Sequence, residues 1–396
     1  MKILFIGSVF AKENESEIIQ KSKVAVEYSA NIFQKKLIEG LKKSNEPFEV
    51  VSAPGIGSFP NAYKDITFKG FKETQNEYQY VKFNNIWGIR NYSRSRAIKR
   101  ALIHFIKEKN DSKLIIVYSV HTPFLAAAAY AKRKDPSIKI CLIVPDLPQY
   151  MNLNEKQSFL YKIGKKFDIS KFYKLTKWVD SYILLAEAMK DKLNIEGKPY
   201  RVVEGIVTEE ELYESQLCRG RINKNKEEKL IVYTGKLYRK FGVGNLVDAF
   251  LLTKDPQYRL VLCGNGDMVS YIENAAEKDN RILFKGQVSA TEAKEWIYKA
   301  DVLVNPRQNN EEYTKYSFPS KIIEYLLSGN PVVAYMLNGM PKVYHNFVYL
   351  PKNSTKEALK EIIIDTLERK NCKKNFFEYA LKNLSAEYII KQIIGK

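Results

Sequence analysis

A segment in the C-terminal half, residues 313–333 (YTKYSFPSKIIEYLLSGNPVV), has the residue types and spacing of a helix that begins at a phosphate. Ser317 is a candidate cap, Pro319 and Ser320 suit the first turn, and the apolar residues of KIIEYLL recur at helical spacing until Gly329. The free N–H groups and positive dipole end of such a helix favour an anion. We therefore predict a phosphate-binding helix start here.

Two charged residues follow directly. Lys321 adds positive charge to the helix start, and Glu324 lies three residues later, so both side chains can share one face. A carboxylate at that position can accept hydrogen bonds from ribose hydroxyls while the helix start holds a diphosphate. The segment thus predicts binding of a nucleotide rather than of an isolated phosphate.

Other candidates are weaker when taken singly. Gly264 and Gly266 form a Gly-x-Gly after an apolar run, which is more often a structural turn than a ligand site. Lys236, Arg239 and Lys240 are clustered, but in a cation-rich chain a solvated cluster is as plausible as a phosphate site. Their occurrence together, in order along one half of the chain, favours a phosphorylated ligand.

Alternation of apolar runs with helical patterns predicts the elements that position these residues. In the first half we expect strands at 1–7, 47–54, 113–119, 138–144, 181–185 and 200–203, and helices at 25–43, 93–109 and 122–132. The pattern restarts with strands at 230–235, 258–266, 281–286 and 301–306, and with helices at 243–252 and 375–394. This predicts an α/β fold with two Rossmann-like, doubly wound parallel sheets.

The predicted domains have near-equal size. Residues 1–207 form the N-terminal domain, the polar stretch 208–229 is the linker, and residues 230–396 form the C-terminal domain. The last helix, at about 375–396, is a candidate to pack back on the N-terminal domain. Open α/β sheets bind ligands at the C-terminal ends of their strands, so we expect both sheets to face an interdomain cleft.

The composition indicates which kinds of partner and which cellular compartment suit the protein. The 396 residues include 64 Lys and Arg against 45 Asp and Glu, a formal charge of +19, which indicates an anionic partner: nucleic acid, an acidic membrane or a phosphorylated small molecule. The four cysteines are scattered, and they suggest neither a disulfide framework nor a zinc site. With no apolar stretch of ~20 residues and no signal peptide, we expect a cytoplasmic protein, soluble or peripheral on the inner face of the membrane.

Residues 317–333 (SFPSKIIEYLLSGNPVV) resemble the nucleotide-sugar-binding signature of glycosyltransferase family 4, a retaining family of GT-B fold involved in polysaccharide and glycolipid biosynthesis. That signature has two glutamates eight positions apart. Glu324 matches the second, which the resemblance assigns to the nucleotide ribose. Tyr316 occupies the position of the first, and Glu311 and Glu312 lie nearby at other spacings.

Further C-terminal positions carry the resemblance. Gly235 and Lys236, followed by Arg239 and Lys240, are similar to the family element whose two cations neutralise the donor diphosphate. Lys236 matches the first cation, and Arg239 or Lys240 the second. The segment 263–266, which contains the Gly-x-Gly, is similar to the turn that brings backbone close to the donor.

In the N-terminal half, Gly7 and Ser8 resemble the family loop that meets the donor phosphate and the acceptor. Asp146 falls where the family often carries His-Asp, although Pro145 occupies the histidine position. Asp146 is either an acceptor contact or a loop turn residue. His121 follows a strand and is either a substrate contact or a satisfied loop histidine.

The resemblance implies a retaining glycosyltransferase with a UDP- or GDP-sugar donor, no required cofactor, no metal in the site and no protein nucleophile. The departing phosphate oxygen would assist deprotonation of the acceptor on the same face of the sugar. Lys236 and Lys240, with Arg239, would stabilise the leaving group. Together with Asp146, the two lysines are the catalytic candidates.

Residues 156–178 (KQSFLYKIGKKFDISKFYKLTKW) alternate lysines with aromatic residues, the composition of a segment at an anionic membrane interface. An ordinary amphipathic helix with a solvated basic side explains the same pattern. Our hypothesis is a glycan or lipid-linked acceptor, such as a polyprenyl-diphosphate oligosaccharide, presented near the membrane.

Competing classes are a basic nucleic-acid-binding protein, a Rossmann dehydrogenase or epimerase, a GT-B phosphorylase or inverting transferase, and an inactive GT-B relative. The first lacks a recognisable motif, so we expect no nucleic-acid partner. The second lacks a glycine fingerprint, because the chain reads GSVFAKENE after Ile6. Because Tyr316 occupies the position of the first signature glutamate, an inactive GT-B relative is still an alternative.

Overall fold

The computed structural model describes residues 1–24, 26, 28–72, 78–110, 112–150, 159–195, 197–218, 227–368 and 373–395. The chain divides into two compact units. The N-terminal unit comprises Met1–Ile206 together with Ser385–Lys396, and the C-terminal unit comprises Val207–Leu384. Both are built on parallel sheets flanked by helices, so the doubly wound α/β class is confirmed.

The described residues of the N-terminal unit contain ten strands: β1 (Lys2–Gly7), β2 (Phe48–Ser52), β3 (Thr67–Phe68), β4 (Phe71–Lys72), β5 (Tyr78–Tyr80), β6 (Phe83–Asn84), β7 (Lys113–Tyr118), β8 (Lys139–Val144), β9 (Ser181–Leu184) and β10 (Tyr200–Val202). Eight form one sheet in the order β10-β9-β8-β7-β1-β2-β5-β4. Its pairs are parallel except β4 with β5, and β3 pairs with β6 in a separate antiparallel ribbon.

The helices that accompany this sheet before the chain leaves the unit are α1 (Lys12–Lys21), α2 (Tyr28–Lys43), α3 (Arg90–Ala101), α4 (Ile103–Lys107), α5 (Thr122–Lys134), α6 (Phe159–Leu175) and α7 (Met189–Leu193). The central strands β1, β7 and β8 read as continuous apolar runs after an initial lysine, since helices cover both faces of a parallel sheet. The strand order reverses between β1 and β7. Such a reversal opens a crevice at the C-terminal ends of the two strands.

The parallel strands of the C-terminal unit are β11 (Lys229–Thr234), β12 (Tyr258–Cys263), β13 (Ile282–Gly286), β14 (Val302–Asn305) and β15 (Val332–Ala334). Their order is β13-β12-β11-β14-β15, so the reversal lies between β11 and β14. The helices are α8 (Glu209–Cys218), α9 (Val243–Leu251), α10 (Val269–Lys278), α11 (Ala290–Lys299), α12 (Lys321–Leu327), α13 (Lys356–Glu368) and α14 (Phe376–Asn383). The final helix, α15 (Ala386–Ile394), returns to the N-terminal unit.

Part of the expected linker 208–229 is instead the helix α8. Thr208 Oγ1 accepts from the Glu211 N–H at 3.2 Å, while Glu211 Oε2 accepts from the Thr208 N–H at 3.0 Å, which is a reciprocal capping box. Leu212 is buried in the core of the C-terminal unit, and the Ser215 hydroxyl donates to the carbonyl of Leu327. Residues 219–226 of the expected linker lie outside the described residues.

Other elements also differ from expectation: the strands β3 to β6 and β15 were not predicted, and two helical regions depart from the predicted pattern. The helix expected over 375–394 is broken at Ser385, whose hydroxyl accepts from the Tyr388 N–H at 3.3 Å and so starts α15 as a separate helix. The expected polar loop after β1 contains α1, which buries Ile18 (2% exposed). One apolar position in a charged sequence is too weak a period to predict that helix.

Helix α15 packs against α2 at close range. A Cβ at Gly40 would lie 2.5 Å from the carbonyl oxygen of Ala386 and 2.8 Å from Ile390 Cγ1, so only glycine permits this approach. Ile389 and Ile390 are both fully buried in the core beneath β1 and β7. The last residues of the chain are therefore part of the core of the N-terminal unit.

We expect Ile390→Ala to lower the free energy of unfolding of the N-terminal unit by about 2 to 5 kcal/mol, because it removes buried methyl groups and leaves a cavity. Tyr388→Ala, on the exposed side of α15, is the control and should stay within about 0.5 kcal/mol. Urea unfolding measures the change, and hydrogen exchange assigns it to the strands of this unit. Equal stability of Ile390→Ala and the parent chain would contradict the packing.

Candidate functional site

The loops after β11 and β12 run side by side at the C-terminal edge of their sheet. The Gly235 N–H donates to the carbonyl of Cys263 at 2.9 Å, and the Leu237 N–H donates to the carbonyl of Asn265 at 2.9 Å. The Met268 N–H, just before α10, donates to the carbonyl of Leu237 at 3.0 Å. The expected Gly-x-Gly turn is therefore paired with the loop that carries Lys236.

Two glycines make this pairing possible. Gly264 has φ +146°, and a Cβ there would overlap the carbonyl oxygen of Gly235. A Cβ at Gly266 would overlap the carbonyl oxygen of Leu237. Both positions exclude a side chain because backbone meets backbone, whatever ligand approaches from outside.

Three exposed cations follow β11. Lys236 comes directly after Gly235, and Arg239 and Lys240 stand on the 3₁₀ turn Arg239–Phe241. Asp267 Oδ1 accepts from the Arg239 N–H at 2.8 Å, which fixes the turn through its backbone and leaves the guanidinium free. Lys240 Nζ lies 5.7 Å from the ring centroid of Phe241. Within the described ranges, none of the three cations has a carboxylate partner.

Helix α12 is held at the same edge by a buried tyrosine. The Tyr325 hydroxyl accepts from the Thr234 N–H at 2.8 Å and donates to the Thr234 carbonyl at 3.0 Å. Tyr325 is fully buried, and burial raises its pKa far above the ordinary value, so the hydroxyl keeps its proton. This pair of bonds brings the start of α12 beside the end of β11.

The start of α12 differs in detail from expectation. The helix begins at Lys321 with Ser320 in the cap position, and no side chain caps it. Ser317 is not the cap, because its hydroxyl oxygen accepts from Arg307 Nη2 at 3.1 Å. Lys321 Nζ lies 2.6 Å from Glu324 Oε2, so the two residues expected on one face form an ion pair there.

Tyr316 lies on the 3₁₀ turn Glu312–Tyr316 and is 9% exposed. The position of the first signature glutamate is thus occupied by a mostly buried ring. The carbonyl of Thr314 on this turn accepts from the Gly339 N–H at 3.0 Å, which fixes the turn against the chain after β15.

Sequence reasoning overlooked Arg307, two residues after β14. Its guanidinium carbon lies 4.8 Å from the ring centroid of Tyr313 and 5.3 Å from that of Phe241, and its Nε is buried without a hydrogen-bond partner. It thereby joins the turn that carries Lys240 to the turn that precedes Ser317. The available signal was its position: a cation directly after a strand beside the reversal of strand order.

In the N-terminal unit, Gly7 and Ser8 follow β1, and Gln34 of α2 holds them. The Ser8 N–H donates to Gln34 Oε1 at 2.8 Å, and Gln34 Nε2 donates to Ser8 Oγ at 3.2 Å. A Cβ at Gly7 would overlap Gln34 Oε1. Asn31 binds the backbone N–H and carbonyl of Phe10 in the same way, at 2.9 and 3.2 Å. Neither amide was singled out from the sequence.

Asp146 and His121 follow different strands. Asp146 comes after β8 and is exposed, whereas His121 comes after β7, the strand that neighbours β1. Burial and the nearby Arg94 and Arg90 lower the pKa of His121 to about 4, so its imidazole is neutral at pH 7. At the reversal of strand order in this unit, the residue that lies beside the Ser8 loop is therefore His121 and not Asp146.

Among the described residues, Glu49, His104 and Glu108 form a group whose ligand atoms lie within 4.8 Å of one another. The ammonium of Lys2 lies 2.8 Å from Glu49 Oε1 and 3.6 Å from Glu108 Oε2. The positive charge that a metal would supply is thus provided by a lysine, and the group is away from the residues described above.

Comparison with known proteins defines the class. Residues 215–383 match the family described as glycosyl transferases group 1. The fold resembles Anabaena HepE in complex with UDP (15% identity, TM-score 0.61), covering 100% of this chain and 99% of that one. It also resembles the lipopolysaccharide outer core galactosyltransferase WaaB (13%, TM-score 0.60, 100% and 99% covered) and sucrose-phosphate synthase from Thermosynechococcus elongatus (15%, TM-score 0.62, 100% and 98% covered). No curated protein sequence matches this chain.

These similarities confirm the GT-B fold expected from the sequence. Residues 215–383, which include the paired loops and α12, match the glycosyl transferases group 1 family, so the expectation of a glycosyltransferase is confirmed at this level.

Gly264→Ala should disrupt the paired loops, because its Cβ must displace the carbonyl of Gly235. We expect a loss of at least about 2 kcal/mol in the free energy of unfolding of the C-terminal unit. Gly286→Ala is the matched control: its φ is also positive, at +64°, but no atom lies within 4 Å of the added Cβ. It should cost only about 1 kcal/mol. Urea unfolding measures both variants, and equal stability of the two would contradict the packing argument.

Proposed function

We propose that this protein is a retaining glycosyltransferase that moves a sugar from a nucleotide-sugar donor to a glycan or lipid-linked acceptor in surface polysaccharide or glycolipid biosynthesis. One observation carries the proposal. Lys236, Arg239 and Lys240 are exposed, and among the described residues they have no carboxylate partner. They lie at the strand-order reversal of the region that matches the glycosyl transferases group 1 family, beside the α12 start that carries Glu324.

The three cations suit a diphosphate leaving group. As the bond between the sugar and the diphosphate breaks, negative charge grows on the phosphate oxygens, and fixed cations stabilise it. The cations are attached to a loop locked by the Gly235 and Gly264 backbone contact, so little reorganisation is needed at the moment of reaction. We assign Lys236 and Lys240 the main catalytic contribution and Arg239 a binding one.

Glu324 is assigned to the nucleotide ribose. In the ligand-free chain its carboxylate is paired with Lys321 at 2.6 Å, and both side chains are partly exposed. Such a pair costs little to exchange for new partners. On donor binding, Glu324 accepts from the ribose hydroxyls while Lys321, Ser317 and Ser320 lie toward the phosphates.

The transfer itself requires one new bond and one broken bond. The acceptor oxygen attacks the anomeric carbon from the face that the diphosphate leaves, and the acceptor proton passes to a departing phosphate oxygen. The configuration is thereby retained without a protein nucleophile or a metal. Ser8 and Asp146 are assigned to the acceptor side, where Ser8 is rigidly held by Gln34 and Asp146 is exposed.

Tyr316 distinguishes this chain within the proposal. A buried phenol cannot accept paired hydrogen bonds from two sugar hydroxyls as a carboxylate does. We propose that the donor sugar is held there by fewer polar contacts, so the nucleotide portion supplies most of the donor affinity. An inactive relative would share that nucleotide binding and lack turnover.

The structures of HepE with UDP and with UDP and glucose support a uridine donor as the first ligand to test. We expect UDP or its sugar conjugate to raise Tm selectively over GDP and ADP, since a ligand at a hundredfold excess over its Kd adds about 2.7 kcal/mol. The shift should be lost in Glu324→Ala and reduced in Lys236→Gln, with the exposed Glu361→Ala as the control. A thermal-shift panel measures it.

Each outcome of that panel has a defined meaning. Stabilisation by GDP alone would change the donor and keep the class. Stabilisation without sugar transfer to any acceptor would favour the inactive relative. No response to any nucleotide, combined with salt-sensitive binding to random duplex DNA, would overturn the proposal in favour of the basic nucleic-acid-binding protein.

We further propose that the protein lies on an anionic membrane surface through α6. On the described part of this helix, Phe167 is 74% exposed and Ile163 is 38% exposed, and Lys162 and Lys166 are exposed beside them. Aromatic and aliphatic side chains flanked by lysines suit the interface of an anionic bilayer. Residues 156–158 of the expected segment lie outside the described residues. Nowhere in the described chain is a helix both long and apolar enough to cross a bilayer.

Liposome flotation tests this surface. Lys162→Gln combined with Lys166→Gln should weaken binding to anionic vesicles about tenfold or more, because each lysine near such a surface contributes about 1 kcal/mol. Lys254→Gln with Lys278→Gln, exposed lysines of the C-terminal unit, is the charge-matched control. Absence of binding by the parent chain at moderate salt would refute peripheral attachment through α6.

A further inference from the structure

Arg94, on α3, is a buried cation that has no carboxylate partner among the residues that the structure describes. It is only 6% exposed, its Nη2 donates to the carbonyl of Pro54 at 2.7 Å, and its guanidinium carbon lies 4.5 Å from the ring centroid of Phe83. Its Nε is buried and has no hydrogen-bond partner. Burying a charge in this way is costly unless a counter-charge arrives.

A second arginine accompanies it. Arg90 lies one turn earlier on α3, and its Nη1 donates to the carbonyl of Ile56 at 3.1 Å. Burial lowers the pKa of both guanidiniums, and the charge of Arg90 lowers that of Arg94 further. Neither arginine forms an ion pair within the described ranges. The carboxyl of Asp168 on α6 is directed to Thr122 instead.

His121 completes the cluster from a second element. It occupies the cap position of α5, and both guanidiniums act on its imidazole. Its edge contact with Phe124, at 5.3 Å between ring centroids, orients the ring. An unpaired buried guanidinium, a second guanidinium, a neutral imidazole and the positive end of a 13-residue helix therefore meet at one place.

The place is the strand-order reversal of the N-terminal unit. The loop that Arg94 and Arg90 hold at Pro54 and Ile56 also meets the loop after β1, since the Gly55 N–H donates to the carbonyl of Ser8 at 3.3 Å. His121 follows β7, the neighbour of β1. In open α/β sheets this crevice is where ligands bind.

We propose that Arg90, Arg94 and His121 form a binding site for an anionic group, phosphate or carboxylate, on the acceptor substrate next to Ser8. The acceptor class is then a phosphorylated or acidic glycan or lipid-linked sugar rather than a neutral sugar. Guanidinium groups suit this role, because their planar fork binds phosphate and carboxylate oxygens in pairs. That the bound anion belongs to an acceptor substrate rests on the proposed glycosyl transfer. The observations that define the anion site do not depend on that proposal.

A purely structural role is the competing explanation, in which the two arginines only hold the 54–56 loop through its carbonyls. That role leaves the Nε of Arg94 without a hydrogen-bond partner, and it does not explain why no described carboxylate faces the two guanidiniums. The two explanations differ in one measurable respect: only a binding site responds to a free anion.

The three histidines of the chain provide the probe. The protein is labelled with isotope in its histidines and saturated with UDP, so that the C-terminal unit does not compete for phosphate. Inorganic phosphate is then titrated while the imidazole NMR signals are followed. His121→Gln assigns its signal, and His104 and His345 are internal controls. We expect saturable movement of the His121 signal and a rise of its pKa from about 4, because a bound anion offsets the two guanidiniums.

Variants separate binding from folding. Arg90→Gln should weaken phosphate binding about tenfold or more, since one charge-assisted contact is lost. Arg96→Gln, an exposed neighbour on the same helix, removes the same charge and should bind phosphate like the parent chain. Arg94→Gln should abolish binding, and if that variant does not fold, Arg90→Gln alone decides. An unresponsive His121 signal, or equal phosphate affinity in Arg90→Gln and the parent chain, would overturn the proposal.

Further probes identify the source of the anion. Acetate in place of phosphate tests a carboxylate, and geranyl diphosphate against pyrophosphate tests a lipid-linked diphosphate, which should bind more tightly only if the prenyl chain is also recognised. The result is independent of the proposed function. A silent His121 with a clear UDP thermal shift refutes the anion site alone, whereas a responsive His121 without any nucleotide effect refutes the donor proposal alone.

Discussion

The Tyr325 hydroxyl, buried between α12 and the end of β11, decides where the polar residues of the C-terminal unit stand. It satisfies both backbone groups of Thr234, the last residue of β11, and so fixes the helix that carries Lys321 and Glu324 against the strand that leads to Lys236. Without that hydroxyl, a buried N–H and a buried carbonyl would lose their partner, which costs more than the bonds themselves contribute. The geometry of the candidate donor site is therefore a consequence of backbone satisfaction in the core, and the exposed cations are attached to it afterwards.

The two units solve the same positioning problem with different chemistry. In the C-terminal unit, the loops after β11 and β12 are locked backbone to backbone, which requires glycine at Gly264. In the N-terminal unit, the loop after β1 is locked by the side-chain amides of Gln34 and Asn31, which reach the loop from α2. Side-chain amides leave room for a polar hydroxyl such as Ser8 between them, whereas glycine pairing leaves a bare turn surrounded by charge. The amide-held loop of the N-terminal unit suits selective contacts, and the glycine-paired loops of the C-terminal unit suit electrostatic stabilisation of a diphosphate.

The sequence predicted the central strands of both sheets because parallel, doubly covered strands such as KLIIVY are continuous apolar runs that few other structures produce, whereas the short strands β4, β5 and β15 were not predicted. The boundaries of the helices were harder to predict from the sequence. The capping box between Thr208 and Glu211 is visible in the sequence, yet the surrounding charge concealed α8, and a single serine at 385 splits what periodicity joins. Site residues were predicted where a local motif exists. Arg307 has none, since its importance arises from which loops the sheet order brings together, and that order is a tertiary property.

Charge in this protein is placed in two energetic settings that imply different uses. The cations after β11 are exposed and hydrated, so they cost little in the ligand-free chain and can be numerous, as the formal +19 shows. Arg94 is buried, and its charge is opposed by Arg90 rather than compensated, so the ligand-free N-terminal unit carries a standing electrostatic cost. An exposed cation is suited to charge that appears briefly in a transition state, because water already screens it in the ground state. A buried, uncompensated cation is suited to a permanent anion, because the gain on binding includes relief of the cost already present.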